Sequence, residues 1–380
     1  MANAVYIHIP FCTNKCHYCD FNSYVVSGQP VMEYLKALDL EMEKTVELFP
    51  TGEIKTIFVG GGTPTVLTPK EMEVFLTSVR KHFPHWNEEI EFTMEANPGT
   101  VELDKLKMMK EFGVNRISMG VQAFQDDLLS FIGRIHSEKE VYQSIENAHH
   151  LGFKNLSIDL MIGLPNQTIE MVRESLKKAI QLQLPHFSVY SLKVEQNTLF
   201  HTFYQKNRLP LPPEEDELNM YLITMEEMQK HGYHQYEISN FAKPGYESKH
   251  NITYWKNEDY FGLGAGAHGY IQGRRHANIK GIRSYIDHLL KENQLPRFEE
   301  FEVSLQEKKE DMLMLGLRML EGVKFSDYEK EFNEEMLSRF RAQIEKLVNL
   351  GLLMKEKDRI KLSQKGLIYG NEVFAEFISV

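Results

Sequence analysis

Apolar positions along this chain follow two periods, and segments of the two kinds alternate. Short β-branched runs at residues 4–9, 54–59, 90–94, 115–120, 156–161 and 186–192 read as strands. Between them, residues 32–48, 69–83, 103–112, 137–151 and 168–182 carry apolar side chains three or four apart and read as amphipathic helices. Leu35, Leu38, Met42 and Val46 show the spacing in the first. The ends are punctuated. Thr68 precedes Pro69, a proline suited to a first helical turn, and Gly113 and Gly152 stand where helices should stop. Strands and helices in strict succession require right-handed crossovers between parallel strands. A partial (β/α)6 barrel of the TIM type, in the α/β class, is the expected core, with an open doubly wound sheet as the alternative.

The pattern changes after residue 209. The run Leu209-Pro-Leu-Pro-Pro213 blocks both helix and ladder bonding and marks a boundary, followed by a helix over 214–230. The barrel unit is therefore set at residues 1–235. Residues 236–305 are rich in aromatic residues and glycine with little periodicity, and are expected to lie over the barrel mouth. Residues 306–380 read as helix, helix, hairpin and closing helix, the order of a winged helix. That segment mixes Glu with Lys instead of presenting a basic face, so it is expected to dock or cover rather than to read DNA.

Composition narrows the class. A chain of 380 residues, 42% hydrophobic and 26% charged, has material for one large core and a smaller one. A net charge of -11 and a pI near 5.8 argue against nucleic acid as a partner and favour a small molecule. No window approaches the roughly 18 apolar residues of a membrane span, and no basic, apolar leader opens the chain. No integral membrane segment is expected, and the expected location is cytoplasmic.

All 3 cysteines fall in one short run, Cys12, Cys16 and Cys19, directly after the first strand. Packed this closely they cannot form a disulfide framework, and as thiols they are ready for metal. The spacing Cys-x3-Cys-x2-Cys suits thiolates that cap three irons of a cubane cluster and leave a fourth iron open. Zinc is the alternative. It needs a fourth ligand, yet His17 is too close in sequence to point inward with its neighbours and His8 lies on the strand before the loop.

Further polar residues recur where barrel strands should end. Val59-Gly60-Gly-Gly-Thr-Pro-Thr65 follows the second strand, and its glycines let backbone approach a ligand, although alone such a run is an ordinary turn. Glu95, Gln122 and Asp159 close later strands, and Arg134 follows in Gly133-Arg-Ile-His136. Singly, each reads as a loop cap or surface ion pair. Together they can meet one ligand, because sites assemble at the C-terminal ends of parallel barrel strands.

The cysteine run, with Tyr18 before its last member, resembles the radical S-adenosylmethionine superfamily over residues 1 to 235. The resemblance implies a 4Fe-4S cluster on Cys12, Cys16 and Cys19. S-adenosylmethionine would sit on the open iron, contacted by Gly61, Gly62, Thr63 and Tyr18, with an external electron donor reducing the cluster. In such proteins the cofactor carries the difficult chemistry and the chain orients it and excludes water. Glu95, Gln122, Arg134 and Asp159 match, in type and spacing, the coproporphyrinogen oxidase-like branch, the HemN and HemW proteins. There the corresponding residues, and the tyrosine matching Tyr6, bind S-adenosylmethionine. Two features divide the branch. Its oxidases carry a further cysteine where this chain has Phe21, and its heme chaperones carry the motif matched by His250-Asn-Ile-Thr-Tyr-Trp255. The resemblance thus implies a HemW-type heme chaperone that binds heme through His250, beside Tyr254 and Trp255, and delivers it to an acceptor apoprotein, with a homodimer left open. An oxygen-independent coproporphyrinogen III oxidase is the alternative. His268, after a second glycine-rich loop, is expected to face the cofactor or the porphyrin.

Overall fold

The computed structural model describes residues 2–379. Strands β1 (Ala4–Ile9), β2 (Thr56–Gly61), β3 (Glu91–Ala96), β4 (Arg116–Gln122), β5 (Asn155–Ile162) and β6 (His186–Ser191) pair in chain order, all parallel. Helices α1 (Val31–Leu48), α2 (Pro69–His82), α3 (Leu103–Glu111), α4 (Glu138–His150) and α5 (Ile169–Gln181) make the crossovers. This is the expected partial (β/α)6 barrel. The strands are buried along nearly their whole length, which parallel sheets covered by helices require. The predicted Thr68 cap holds α2, where Thr68 and Glu71 form a reciprocal capping box ahead of Pro69; Ser137 and Glu140 form a second box at the start of α4. Gly113 and Gly152 stop α3 and α4 at φ of +98° and +76°, a backbone region costly for any residue with a Cβ.

Helix α6 (Glu214–Lys230) packs beside α5 and leads to β7 (His234–Gln235) and β8 (Asn240–Ala242), of which β8 pairs antiparallel with β6. On the opposite flank, β9 (Tyr260–Leu263) runs parallel to β1. Beyond it β10 (His268–Ile271), β11 (Arg274–Asn278) and β12 (Arg297–Glu302) follow antiparallel, giving a 12-stranded sheet.

The expectation that residues 236–305 lie over the mouth is corrected here. Their strands extend both flanks of the sheet, and Phe241, Phe261, Leu263, Ile271 and Tyr285 share one apolar core with β1 to β6. The physical reason is backbone pairing: without β8 and β9, the flanks of β6 and β1 would bury unpaired N–H and C=O groups. Helix α7 (Lys249–Trp255) lies at the base of the barrel, at the N-terminal ends of the strands. There the Glu91 carboxylate, on the first residue of β3, accepts from the N–H groups of Lys249 and His250 at 2.9 and 3.0 Å.

The C-terminal unit has its own core, including Leu313, Tyr328, Phe340, Ile344, Ile360 and Phe374. It comprises α8 (Leu305–Gly316), α9 (Phe325–Phe332), α10 (Met336–Asn349), a 3-stranded sheet of Val323–Lys324, Arg359–Leu362 and Leu353–Lys355, and two short closing helices. The helix, helix, hairpin order is as expected. Helix α9, only 8 residues long, is too short to stand out in the sequence pattern.

Candidate functional site

The C-terminal ends of β1 to β6 surround a cavity of about 360 Å³. Cys12, Cys16, Tyr18, Cys19, Gly61, Gly62, Thr63, Glu95, Gln122, Arg134 and Asp159 all line it, drawn from positions far apart in the sequence. Strand alternation explains the convergence. Glu95, Gln122 and Asp159 sit at or near strand ends, where inward side chains meet no further layer of core. Gln122 holds φ at +69° beside an irregularity in the β4·β5 register, a strained position that turns the chain at the cavity wall.

The cysteine loop is pinned from outside. His17 donates its N–H to Ile132 O at 3.0 Å, and its Nδ1 pairs with Phe131 O at 2.8 Å. The Asn14 amide donates to Gly133 O. Both ring nitrogens of His8 are used, Nδ1 by the Tyr6 hydroxyl at 2.9 Å and Nε2 by Asn22 O at 2.8 Å. Neither histidine presents the fourth ligand that zinc would need. Among the described residues no three His, Cys, Asp or Glu side chains close on a single-ion site. The three cysteine sulfurs at the cavity wall are donors of the kind that cap separate irons of a cluster.

Each sulfur has a polar neighbour. The Thr63 hydroxyl donates to Cys12 Sγ at 3.7 Å, Arg134 Nη1 to Cys16 Sγ at 3.6 Å, and Ser23 Oγ lies 4.0 Å from Cys19 Sγ. Asn97 joins two of these donors, with its amide on Thr63 Oγ1 at 2.8 Å and its Oδ1 accepting from Arg134 Nη2 at 2.7 Å. Burial pushes the Cys12 and Cys19 thiols up, so ionising them calls for a metal.

Two carboxylates stand close together in the cavity. Burial, then the nearby Asp159 carboxylate, pushes Glu95 up to about 8, and burial likewise raises Asp159. Both groups await a cationic or hydrogen-bonding ligand. The sulfonium, ammonium and ribose hydroxyls of S-adenosylmethionine meet that need. The glycines also meet an internal steric need. A Cβ at Gly61 would strike the His8 ring, and one at Gly62 the Phe11 backbone, so both positions first admit the chain's own groups.

Two expected residues lie elsewhere. Tyr6 is outside the cavity wall: two residues earlier on β1 than His8, it stacks near Phe58 and pairs with His8, and burial, then the nearby Glu95 carboxylate, pushes its hydroxyl up. His250 is at the barrel base and 0% exposed. Its Nδ1 pairs with Thr56 Oγ1 at 2.9 Å and its Nε2 with the Tyr254 hydroxyl at 2.8 Å. Burial, then the Arg116 charge, lowers its pKa to about 3, which keeps the ring neutral. With both nitrogens engaged, this conformation offers no lone pair to heme iron, contrary to the expectation. Trp255, at the other end of the motif, instead lines an open groove of about 650 Å³ between the barrel base and the C-terminal unit, with Tyr270, Met312, Met319 and Phe332. His268 is exposed at the start of β10, outside the cysteine cavity.

Asn97, Ser118 and Tyr190 also line the cavity, although sequence pattern alone does not single them out. Ser118 donates to Asp159 Oδ1 at 3.3 Å. The one signal they carry is position: Asn97 follows Glu95 by two residues, Ser118 is an inward-facing residue within β4, and Tyr190 lies near the end of β6.

Comparison with known proteins agrees with the site. The family model for the Radical SAM superfamily matches residues 6–179, and that for the HemN C-terminal domain matches residues 303–369. The chain is 46% identical over 375 residues to "Heme chaperone HemW" of Bacillus subtilis, covering 99% of each chain. It is 36% identical to the protein of that name from Escherichia coli, covering 99% of this chain and 98% of the other. Among solved structures, coproporphyrinogen III oxidase (HemN) from Escherichia coli matches with a TM-score of 0.86 at 24% identity, covering 98% of this chain and 89% of that one.

Proposed function

The chain belongs to the HemW heme chaperone family within the radical S-adenosylmethionine superfamily, and we propose that it binds heme and passes it to an acceptor apoprotein. The scaffold for this is a 4Fe-4S cluster with bound S-adenosylmethionine. Phe21 is the observation that carries the reading. It stands 65% exposed on the cavity wall, where the oxidases of the branch carry a further cysteine. A ring at that position supplies neither a thiol ligand nor a proton donor to a propionate side chain.

Cys12, Cys16 and Cys19 hold the cluster in this reading, and Thr63, Arg134 and Ser23 offset the charge that the thiolates acquire. The bound cluster and its ligand supply a one-electron couple and a sulfonium. The Arg134 fork takes the ligand carboxylate, Glu95 and Asp159 accept from its amino and hydroxyl groups, and Gln122, Tyr18 and the backbone of Gly61, Gly62 and Thr63 fix its position. Tyr6 is a positioning residue, acting through His8. An electron donor approaches from the exposed side of the cysteine loop.

Heme is proposed to rest in the groove beside Trp255. Trp255 and Phe332 supply aromatic contact and Met312 a sulfur donor of the kind that ligates heme iron, in a groove otherwise lined mostly by charged residues and with Arg318 over the Trp255 ring. No helix among the described residues is long and apolar enough to cross a membrane.

The test is anaerobic. Cluster-reconstituted protein is titrated with hemin and then mixed with an apocytochrome b, following the Soret band; in parallel it receives S-adenosylmethionine, reductant and coproporphyrinogen III. Heme binding and transfer without protoporphyrinogen is the expected result. Turnover to protoporphyrinogen would overturn the chaperone reading in favour of the oxidase.

A further inference from the structure

The two ends of the 12-stranded sheet are not alike. At one end β7 has only 2 residues, too short to template another strand. At the other, β12 runs for 6 residues, Arg297–Glu302, and pairs with β11 alone. From Phe298 onward every residue of β12 is exposed, Phe298 at 77% and Phe301 at 41%.

The free side of this strand carries hydrogen-bonding groups. The Val303 N–H donates to Gly273 O at 2.8 Å, toward β11. Because backbone groups alternate sides along a strand, the N–H and C=O of Glu302 and Glu300 point away from β11. We propose that this edge accepts an extended, lysine-rich segment of a partner protein as an additional strand of the sheet. Backbone pairing to Glu300 and Glu302 supplies the affinity, and Phe301, on the opposite face of the strand from these glutamates, covers the apolar side chains of the incoming segment.

Charge selects the occupant. Glu299 and Glu302 make no ion pair among the described residues, whereas Glu300 is held by Arg274 at 2.9 Å. Arg297, the one cation on the strand, is turned inward, its Nη1 on Asn278 Oδ1 at 2.6 Å. The accessible edge is therefore acidic, in a chain of net charge -11. A second copy of this chain is the wrong partner. An antiparallel register that pairs the outward groups of Glu300 and Glu302 sets these glutamates against those of the copy, and like charges directly opposite destabilise a ladder. Alternating lysines on an incoming strand fall on one face, where they meet Glu300 and Glu302 favourably.

The edge stands four strands from β1, or about 19 Å at the usual strand spacing. Register followed from strand to strand sets Glu300 level with Val5, so a partner seated there lies toward the N-terminal ends of the barrel strands. The inference does not require heme binding, so its failure and that of the chaperone reading are separable.

The probe is a capped heptapeptide of alternating Lys and Val, with two controls: a backbone N-methylated version and a Glu-Val version. Binding to the full chain is measured by fluorescence anisotropy, and amide exchange in β12 by mass spectrometry with residue-level fragmentation. The expected result is slowed exchange at Glu300 and Glu302, at least tenfold weaker binding of both control peptides, and a similar loss with the exposed double variant Glu299→Lys/Glu302→Lys. Equal binding of the N-methylated peptide, or binding without protection in β12, would overturn the proposal. So would protection of β12 that appears without peptide and grows with protein concentration, since a second copy would then be the occupant.

Discussion

Arg134 and Asn97 form the joint of the cofactor site. Nη2 of the arginine donates to Oδ1 of the asparagine at 2.7 Å, while Nη1 of the same fork reaches Cys16 Sγ at 3.6 Å. One planar group thus ties the end of β3 to the cysteine loop, and Asn97 passes the tie on to Thr63 and Cys12.

A fork that serves several acceptors cannot be replaced by a point charge. Arg134→Lys is expected to keep the net charge yet weaken S-adenosylmethionine binding at least tenfold, about 1.4 kcal/mol, with cluster iron content unchanged. Asn97→Ala should produce a loss of similar size by freeing the guanidinium, although Asn97 carries no charge. Calorimetry on the reconstituted proteins checks both. An Asn97→Ala protein with wild-type affinity would show that the arginine needs no orientation.

The histidines nearest the cysteines are expected to be dispensable for metal. His17 is anchored to Phe131 O and His8 to Asn22 O. His17→Gln should therefore retain full iron and sulfide content after reconstitution, whereas Cys12→Ser, Cys16→Ser or Cys19→Ser should each lose the cluster absorption. Stoichiometric zinc in the protein as isolated, lost in His17→Gln, would revive the mononuclear alternative.

The barrel and most of its site are legible in the sequence because both depend on local pattern. Apolar period locates β1 to β6 within a few residues, and strand ends then determine which side chains converge, so residue order alone points to Glu95, Gln122 and Asp159. The cysteine spacing is likewise local. His250 and residues 236–305 lie elsewhere than expected because their positions depend on which backbone edges remain unpaired, a non-local property. A motif can be read from its residue types, but whether it faces a ligand or a core depends on what lies opposite. Here Thr56 and Tyr254 lie opposite His250. Asn97 escapes a reading by residue type because, uncharged, it stands out only once Arg134 and Thr63 are seen on either side of it.

The burial of His250 has a consequence for the heme motif. His250→Ala removes two hydrogen bonds and leaves the Thr56 and Tyr254 hydroxyls unpaired, so a stability loss of about 2–4 kcal/mol is expected in urea unfolding. Trp255→Ala, on the groove side, should cost less stability but weaken hemin binding several-fold. If His250→Ala instead abolishes the Soret shift while its unfolding midpoint stays at the wild-type value, the buried conformation is not the one that binds heme.

Acid should expose the same residue. The folded-state pKa of His250, about 3, lies below the unfolded value near 6.5. Between those limits the unfolded chain binds the extra proton, so stability is fully present above pH 6.5 and falls as pH drops toward 3. His136 and His276, each lowered to about 4 by burial first, act in the same direction. Unfolding midpoints measured from pH 7 to pH 4.5 should therefore decline, and His250→Gln should flatten part of the slope.

Glu95 should behave in the opposite sense. Its folded-state pKa of about 8 lies above the ordinary 4.5, so its contribution to stability is present below pH 4.5 and is lost as pH rises through 8. Glu95→Gln keeps the shape without the charge and is expected to stabilise the ligand-free protein at pH 7.5 by on the order of 1 kcal/mol, a figure discounted because the carboxylate borders the cavity. A cationic ligand reverses the preference by favouring the ionised carboxylate. Wild-type affinity for S-adenosylmethionine should therefore climb with pH and level off near 8, and binding below that pH should release a proton. Calorimetry in two buffers of different ionisation enthalpy detects the release. Glu95→Gln should bind more weakly at pH 8, with a flatter pH profile and less proton release. A wild-type profile as flat as that of the variant would mean that Glu95 stays ionised without ligand and that some other group supplies its countercharge.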